Sequence, residues 1–268
     1  MKGGAKAVKK TGRFLVVDVS NSFTKFSLST ASRLGPIGSH PTPQIDAGWL
    51  AALARRHPGI PLFLSSVVPQ RTRLFERAFG DRLHRLHGTA PLGIPISYRN
   101  PRQVGPDRLA NAIAARHLYG APAIVIDFGT AVTFDVLDKR GAYSGGVIAP
   151  GLNLMTDYLH ERTALLPLVT IREPRRAIAQ STEEAIRVGA VTGYRGMIRE
   201  ILGAIKKELI GDIGGKPPKI RVIATGGQAA IVSRRMPEIE AVLPALTLDG
   251  LRIWGAGILA APDGDPRQ

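Results

Sequence analysis

The chain contains no cysteine. Disulfides, thiolate metal sites and cysteine nucleophiles are excluded, and a secreted disulfide-stapled scaffold with them. No apolar run approaches the ~18 residues of a membrane-spanning helix. The run Phe14–Val17 behind Lys2, Lys6, Lys9 and Lys10 is shorter than the roughly 7–15 residues of a signal-peptide core, and Asp18 ends it. A cytoplasmic home is therefore expected. No Gly-x4-Gly-Lys-Ser/Thr loop is present, which disfavours a P-loop kinase. His84 and His87 lack an acidic or sulfur companion and read as surface residues rather than a metal site. No Ser-His-Asp arrangement can be defended from spacing. Acids are scarce as well: 21 Asp and Glu stand against 36 Lys and Arg, a formal net charge of +15.

What remains is ordinary globular material. The 268 residues are 44% hydrophobic and 21% charged, enough for one large domain or two small ones. The basic excess recurs at Arg55–Arg56, Arg71, Arg73, Arg175–Arg176 and Arg234–Arg235. Such charge favours phosphates, nucleotides or nucleic acid, although a solvated surface plus a floppy tail is the plainer account of it.

Hydrophobic periodicity predicts strands at Phe14–Val19, Thr24–Ser29, Ile60–Val67, Ala123–Phe128, Val132–Leu137, Ala142–Ala149 and Ile220–Ala224. Helices are expected at Asp46–His57 (Asp46 as cap), Pro69–Phe79, Pro106–Tyr119, Leu152–Leu166, Thr182–Leu209, Gln228–Arg235 and Leu248–Ala261. Ser32–Ile45, rich in Pro, Gly and Ser, reads as a loop. Strands and helices in this order imply an α/β fold.

One internal match organises the chain. Asp18-Val-Ser-Asn-Ser-Phe-Thr24 parallels Asp127-Phe-Gly-Thr-Ala-Val-Thr133. Each segment leaves a hydrophobic strand at an Asp, turns through small polar residues and enters a second strand. Two related α/β halves are implied. The expected division is a basic disordered tail at 1–12, one half at 13–118 and another at 119–268.

A turn of Ser, Asn, Thr and Gly between two strands offers backbone N–H groups to an anion, and its small side chains admit phosphate oxygens. An Asp at the strand end can hold a cation that balances phosphate charge. Two such turns would clamp a triphosphate, whereas either alone could be an ordinary hairpin. Gly105-Pro-Asp107-Arg108 opens a helix. Asp107 there is either a helix-start acid or a general base that takes the proton of an alcohol as a phosphoryl group arrives. Arg108 could pair with a carboxylate or phosphate. Thr225-Gly-Gly227, between a strand and a helix, suits close backbone approach to a nucleotide.

Together with Tyr98, Thr133-Phe-Asp135, Gly145-Gly-Val-Ile-Ala-Pro-Gly151, Ser181-Thr-Glu-Glu184 and Leu246-Thr-Leu-Asp-Gly-Leu251, these motifs resemble the type III pantothenate kinase family from Phe14 to Ile258. The resemblance implies an actin/Hsp70/sugar-kinase (ASKHA) fold: two ribonuclease-H-like halves with a nucleotide cleft between them, as a homodimer. It implies ATP-dependent phosphorylation of pantothenate, the first step towards coenzyme A. Asp18, Val19, Ser20, Asn21, Ser22, Phe23, Thr24 and Lys25 would cradle the ATP phosphates, with Thr130 also touching ATP. Tyr98, Gly105, Pro106, Asp107, Arg108 and Thr182 would bind pantothenate, Asp107 as general base. Asp127 is similar to the family's ligand for K⁺ or NH₄⁺, and Mg²⁺ would travel with ATP near Asp18.

Two departures stand out. Ser20 occupies the family's Gly in Asp-x-Gly-Asn-Ser/Thr, where its side chain is expected to crowd a phosphate, and the Lys-rich tail is extra. They leave a second reading: a weakened scaffold homologue that regulates or binds nucleic acid. The retained Asp18, Asp107, Arg108, Asp127 and Thr130 argue against it, and no nucleic-acid-reading motif is visible. A third reading, a sister kinase acting on a sugar or small acid, is disfavoured by the Gly105–Arg108 and Ser181–Glu184 motifs.

Overall fold

The structure is a computed structural model that describes residues 12–211 and 218–261. Apart from Gly12, the expected basic tail lies outside the described residues.

The chain forms two compact units. The first takes residues up to 93, 99–114 and those from 246 onward; the second takes 94–98 and 115–245. The first is built on β1 (Arg13–Val19), β2 (Phe23–Thr30), β3 (Ile37–Pro41), β4 (Leu62–Ser66) and β5 (Leu83–Arg85), in the sheet order β3-β2-β1-β4-β5. β1 is central, antiparallel to β2 and parallel to β4, and every residue from Phe14 to Val19 is buried. A strand covered on both faces must read as a continuous apolar run, which Phe14–Val17 does. Around the sheet stand α1 (Ala47–Arg56), α2 (Pro69–Phe79) and α3 (Pro106–Tyr119). Asp46 caps α1 by accepting the Trp49 N–H at 2.7 Å, and Pro69 begins α2, where its missing N–H costs nothing.

The second unit repeats the plan with β6 (Ala123–Phe128), β7 (Ala131–Leu137), β8 (Tyr143–Pro150), β9 (Arg221–Thr225) and β10 (Ala241–Val242). Its sheet order, β8-β7-β6-β9-β10, matches the first strand for strand. β6 is antiparallel to β7 and parallel to β9, as β1 is to β2 and β4. The seven-residue sequence match thus marks a whole repeated topology. Its helices are α4 (Leu152–Arg162), α5 (Thr182–Val188), α6 (Tyr194–Ile210) and α7 (Ala229–Ser233). Ile124, Ile126, Phe134, Tyr194 and Ile198 lie in its core.

Four expectations change, the first being the helix expected over Leu152–Leu166, which ends at Arg162. The stretch 32–45 is not all loop, because Ile37–Ser39 and its neighbours pair antiparallel with β2 as an edge strand. The single helix expected over Thr182–Leu209 contains a π-helical turn at Gly189–Gly193. The last helix, α8 (Leu246–Ala260), belongs to the first unit although the sequence order put it with the second half. It packs on β1, β2 and β4; Gly250 lies against Ala110 of α3, Gly255 against Phe63 of β4, and the Trp254 indole donates to the Pro91 carbonyl at 3.1 Å.

Candidate active site

In the first unit the chemistry gathers where β1 ends. Asp18 is 7% exposed. Its Oδ1 accepts from Ser65 Oγ at 2.8 Å and its Oδ2 from Ser20 Oγ at 3.1 Å. The Ser20 N–H donates to the Phe23 carbonyl at 3.2 Å and closes the turn, while the Thr42 N–H holds the Ser22 carbonyl at 3.0 Å. Asn21, Ser22 and Phe23 are exposed. Lys25 stands opposite Asp18 across the β1–β2 ladder. Val19 and Thr24 differ from their neighbours: Val19 is in the core, and Thr24 is buried with its hydroxyl 2.9 Å from that of Thr42. Their side chains build the turn, and only their backbones are left for a ligand. Ser65 went unnoticed in the sequence; the signal was a Ser pair ending the apolar run of β4, in register with Asp18.

Gly105–Arg108 opens α3 in the same unit, with Pro106 as its first residue. The Arg108 N–H donates to Asp107 Oδ1 at 2.9 Å. Burial pushes the Asp107 carboxyl above its usual range, opposed by that amide and by the Arg108 charge. A partly buried carboxyl with a raised pKa is what a base working near neutrality needs. Arg108 itself is 9% exposed.

In the second unit Asp127 is the last residue but one of β6, as Asp18 is of β1, with Thr225 beside it in the parallel register where Ser65 stands beside Asp18. Three backbone contacts shape the turn after it. The Gln228 N–H donates to the Phe128 carbonyl at 3.1 Å. Gly226, at φ +93°, approaches so closely that a Cβ would lie 2.5 Å from Asp127 Oδ1. Gly151 packs on the turn, where a Cβ would meet the carbonyl oxygens of Thr130 and, at 2.7 Å, Gly129. Thr130 is left exposed at the tip.

Tyr98 belongs to this unit, not to that of Gly105–Arg108. Its ring lies 6.1 Å from that of Tyr143, over Gly145, whose hydrogen leaves room for it. It lines a pocket of about 620 Å³ with Val136, Ser144, Val147 and Ile205. Thr182 is the exposed first residue of α5. Ser181 caps that helix by accepting the Glu184 N–H at 3.3 Å, and Glu184 reaches back to the Gln180 N–H at 3.1 Å.

The oxygen donors suit hard cations. No group of three or more His, Cys, Asp or Glu gathers anywhere among the described residues. A divalent ion would accordingly be held by one carboxylate and by the phosphates it accompanies, the usual manner of Mg²⁺.

The profile of the type III pantothenate kinase family matches residues 14–204. A type III pantothenate kinase of Methylacidiphilum infernorum is 51% identical over 241 residues, 90% of this chain and 87% of that one. Its counterpart in Akkermansia muciniphila is 44% identical, covering 90% and 97%. Among solved structures, a Campylobacter jejuni protein described as a conserved Baf family transcriptional activator superposes with a TM-score of 0.60 at 17% identity, covering 89% of this chain and 96% of that one. A Sinorhizobium meliloti protein described as a 2-dehydro-3-deoxygalactonokinase gives 0.55 at 12%, covering 95% and 100%. These two show the fold alone.

Proposed function

The chain belongs to the type III pantothenate kinase family, and on that premise we propose how its residues transfer a phosphoryl group from ATP to the primary hydroxyl of pantothenate. The observation that carries the proposal is Asp107, a partly buried carboxyl with a raised pKa at the first turn of α3. Asp107 accepts the hydroxyl proton as the hydroxyl oxygen bonds to the γ-phosphorus and the bond from that phosphorus to ADP breaks. The products are 4'-phosphopantothenate, ADP and a protonated Asp107. Arg108 holds the pantothenate carboxylate, the ion a guanidinium fork matches best. Tyr98 and Thr182 are likewise assigned to pantothenate.

The exposed turn at Asn21–Phe23 presents N–H groups to the ATP phosphates, with Lys25 as counter-charge and Thr130 as a further contact. Mg²⁺ bound with ATP beside Asp18 supplies charge neutralisation of the phosphates. A monovalent cation, K⁺ or NH₄⁺, is assigned to Asp127. Nothing favours the regulatory or nucleic-acid-binding alternative.

We assign the chain to the cytoplasm and to a homodimer. No helix among the described residues is long and apolar enough to cross a membrane. The dimer is suggested by α4 and the segment after it, which expose Leu154, Met155, Tyr158, Leu165 and Leu168, Leu165 at 91%; apolar surface gathered in one region marks association sites. Light scattering tests it.

The kinase proposal is tested by ADP release with and without pantothenate, in K⁺ and in Na⁺ buffer. Release that requires pantothenate and falls sharply in Na⁺ supports both the acceptor and the cation; equal rates in the two salts count against the Asp127 assignment alone.

A further inference from the structure

Between α4 and α5 the chain runs from 163 to 181 without helix or strand. Its second half is unusually basic: Arg172-Glu-Pro-Arg175-Arg176. This stretch and the flank of α5 enclose a cavity of about 190 Å³, and the charged residues in its wall are Arg172, Arg175, Arg176 and Arg187 with Glu173 and Glu184. The residues assigned to pantothenate and ATP above do not line it.

The two acids do not neutralise these four arginines. Glu173 is gripped by the buried Arg195, which donates from Nη1 to Oε1 at 2.9 Å and from Nη2 to Oε2 at 2.6 Å, and the Arg235 Nε adds a contact to Oε1 at 3.0 Å. Those cations come from outside the cavity wall, and the Arg195 bond chiefly holds the Glu173 carboxyl below its usual range. Glu184 has an oxygen committed to the Gln180 N–H. The arginines find mostly neutral partners. Arg176 donates to Gln180 Oε1 at 2.7 Å. Arg187 donates to the Thr170 carbonyl at 3.3 Å and stands 3.9 Å from Glu183. Arg172 and Arg175 make no hydrogen bond or ion pair among the described residues and are exposed.

Four arginines contribute to the wall of one cavity, a local excess of positive charge, and their guanidinium groups carry more N–H donors than their observed partners use. An anion that accepts several hydrogen bonds balances that charge and uses the donors. Guanidinium forks match phosphate oxygens bidentately. The volume narrows the choice, because sites for whole organic ligands run to ~300–1,000 Å³. A cavity of this size takes a compact charged group rather than a nucleotide.

We propose that Arg172, Arg175, Arg176 and Arg187 form a second anion site, separate from the ATP turn, that binds a phosphate dianion. The phosphate is either free inorganic phosphate or the phosphate of a monoester whose remainder stays in solvent. Three of the arginines lie on the irregular segment and the fourth on α5, so the bound anion ties that segment to the helix that begins at Thr182.

The test is calorimetric titration of the full chain saturated with ATP and without pantothenate, so that the phosphate turn is filled and no turnover occurs. Inorganic phosphate is one titrant and glycerol 3-phosphate, a phosphate monoester that is neither substrate nor product of the proposed reaction, the other, both at fixed ionic strength in chloride. The site predicts saturable binding of one phosphate per chain by the wild type and at least about a tenfold loss of affinity in Arg172→Gln/Arg175→Gln. Tighter binding of the monoester identifies a metabolite's phosphate as the ligand, and tighter binding of inorganic phosphate identifies the free ion. Should the double variant melt well below the wild type, Arg176→Glu carries the same expectation. Absence of saturable binding to the wild type, or equal binding by wild type and a folded variant, overturns the site. Because the readout is binding, the result is independent of whether the kinase assay succeeds.

Discussion

A Cβ on residue 105 would lie 2.5 Å from Oδ1 of Asp107. Gly105 therefore provides the space into which the Asp107 carboxylate turns to meet the Arg108 N–H. Gly105→Ala should push that carboxylate aside while leaving the backbone unstrained, since the φ of residue 105 is not in the left-handed region. The expected outcome is a kcat at least about tenfold lower, with melting temperature nearly unchanged, because misplacing a catalytic group costs rate before it costs stability. A steady-state assay beside a melting curve checks it; wild-type turnover would remove Asp107 from the reaction.

Asp107→Asn separates the same residue's two effects. The amide oxygen can still accept the Arg108 N–H, but no base remains, so kcat should fall by about 10²–10⁴-fold. Stability should move the other way. Burial raises the folded-state pKa of Asp107 above its unfolded value. Its contribution to stability is thus present below the unfolded pKa and lost as pH rises through the folded one. At neutral pH the wild type carries the cost of a partly desolvated charge, and the variant does not. Asp107→Asn should melt no lower than wild type at pH 7 and lose any advantage at pH 4. In the wild type the acid limb of kcat/KM should lie above the ~3.9 of an ordinary Asp.

The sheet–turn–sheet units were legible in the sequence because their strands are covered on both faces and read as unbroken apolar runs, β1 and β6 above all. α2 and α3 were legible at both ends from proline at the first turn and from their periodicity. β5 and β10, three and two residues long, give no periodicity to read, and β3 was masked by proline and glycine that an edge strand tolerates. The docking of α8 on β1 depends on contacts far apart in sequence, which local pattern does not carry. At the site the same division holds. Asp18, Asp107 and Asp127 announced themselves by position at strand and helix ends. Ser65 and the close approach of Gly226 to Asp127 emerge only once β4 and β9 lie beside β1 and β6.

Gly226 and Gly227 make a matched pair for testing that approach. Gly226 sits at φ +93°, and a Cβ there would meet Asp127 Oδ1 at 2.5 Å and the Phe128 backbone at 2.6 Å; around Gly227 nothing lies within 4 Å. Gly226→Ala should cost about 1–3 kcal/mol from the backbone alone, since alanine is strained at positive φ. For a chain of this size that is roughly 2–4 °C of melting temperature per kcal/mol. Activity should fall further than stability, as Asp127 and its turn are displaced. Gly227→Ala should leave both nearly unchanged. Equal effects of the two substitutions would mean that the turn relaxes freely and that Asp127 is not held in place by Gly226.

Ser20 was expected to crowd a phosphate, because the family pattern that the turn resembles has glycine there, and its surroundings reverse the sign. Among the described residues no non-glycine has positive φ, so the backbone at Ser20 does not demand glycine. The hydroxyl is turned to Asp18, donating to Oδ2 at 3.1 Å, while Ser65 donates to Oδ1 at 2.8 Å. The Ser20 N–H is likewise committed, to the Phe23 carbonyl. Neither group of Ser20 is therefore aimed at the ATP phosphates; the hydroxyl orients the carboxylate assigned to lie near ATP-bound Mg²⁺. Ser20→Gly removes one of two hydrogen bonds to that carboxylate and adds backbone freedom to the turn. A hydrogen bond to a charged group contributes about 1.5–3 kcal/mol when buried, and this one is only partly so. A rise in KM for ATP of a few-fold to about tenfold is expected, with KM for pantothenate unchanged. Ser20→Ala should reproduce most of the loss without the added flexibility, which attributes it to the hydroxyl. A lower KM for ATP in the glycine variant would restore the crowding argument and detach Ser20 from Asp18.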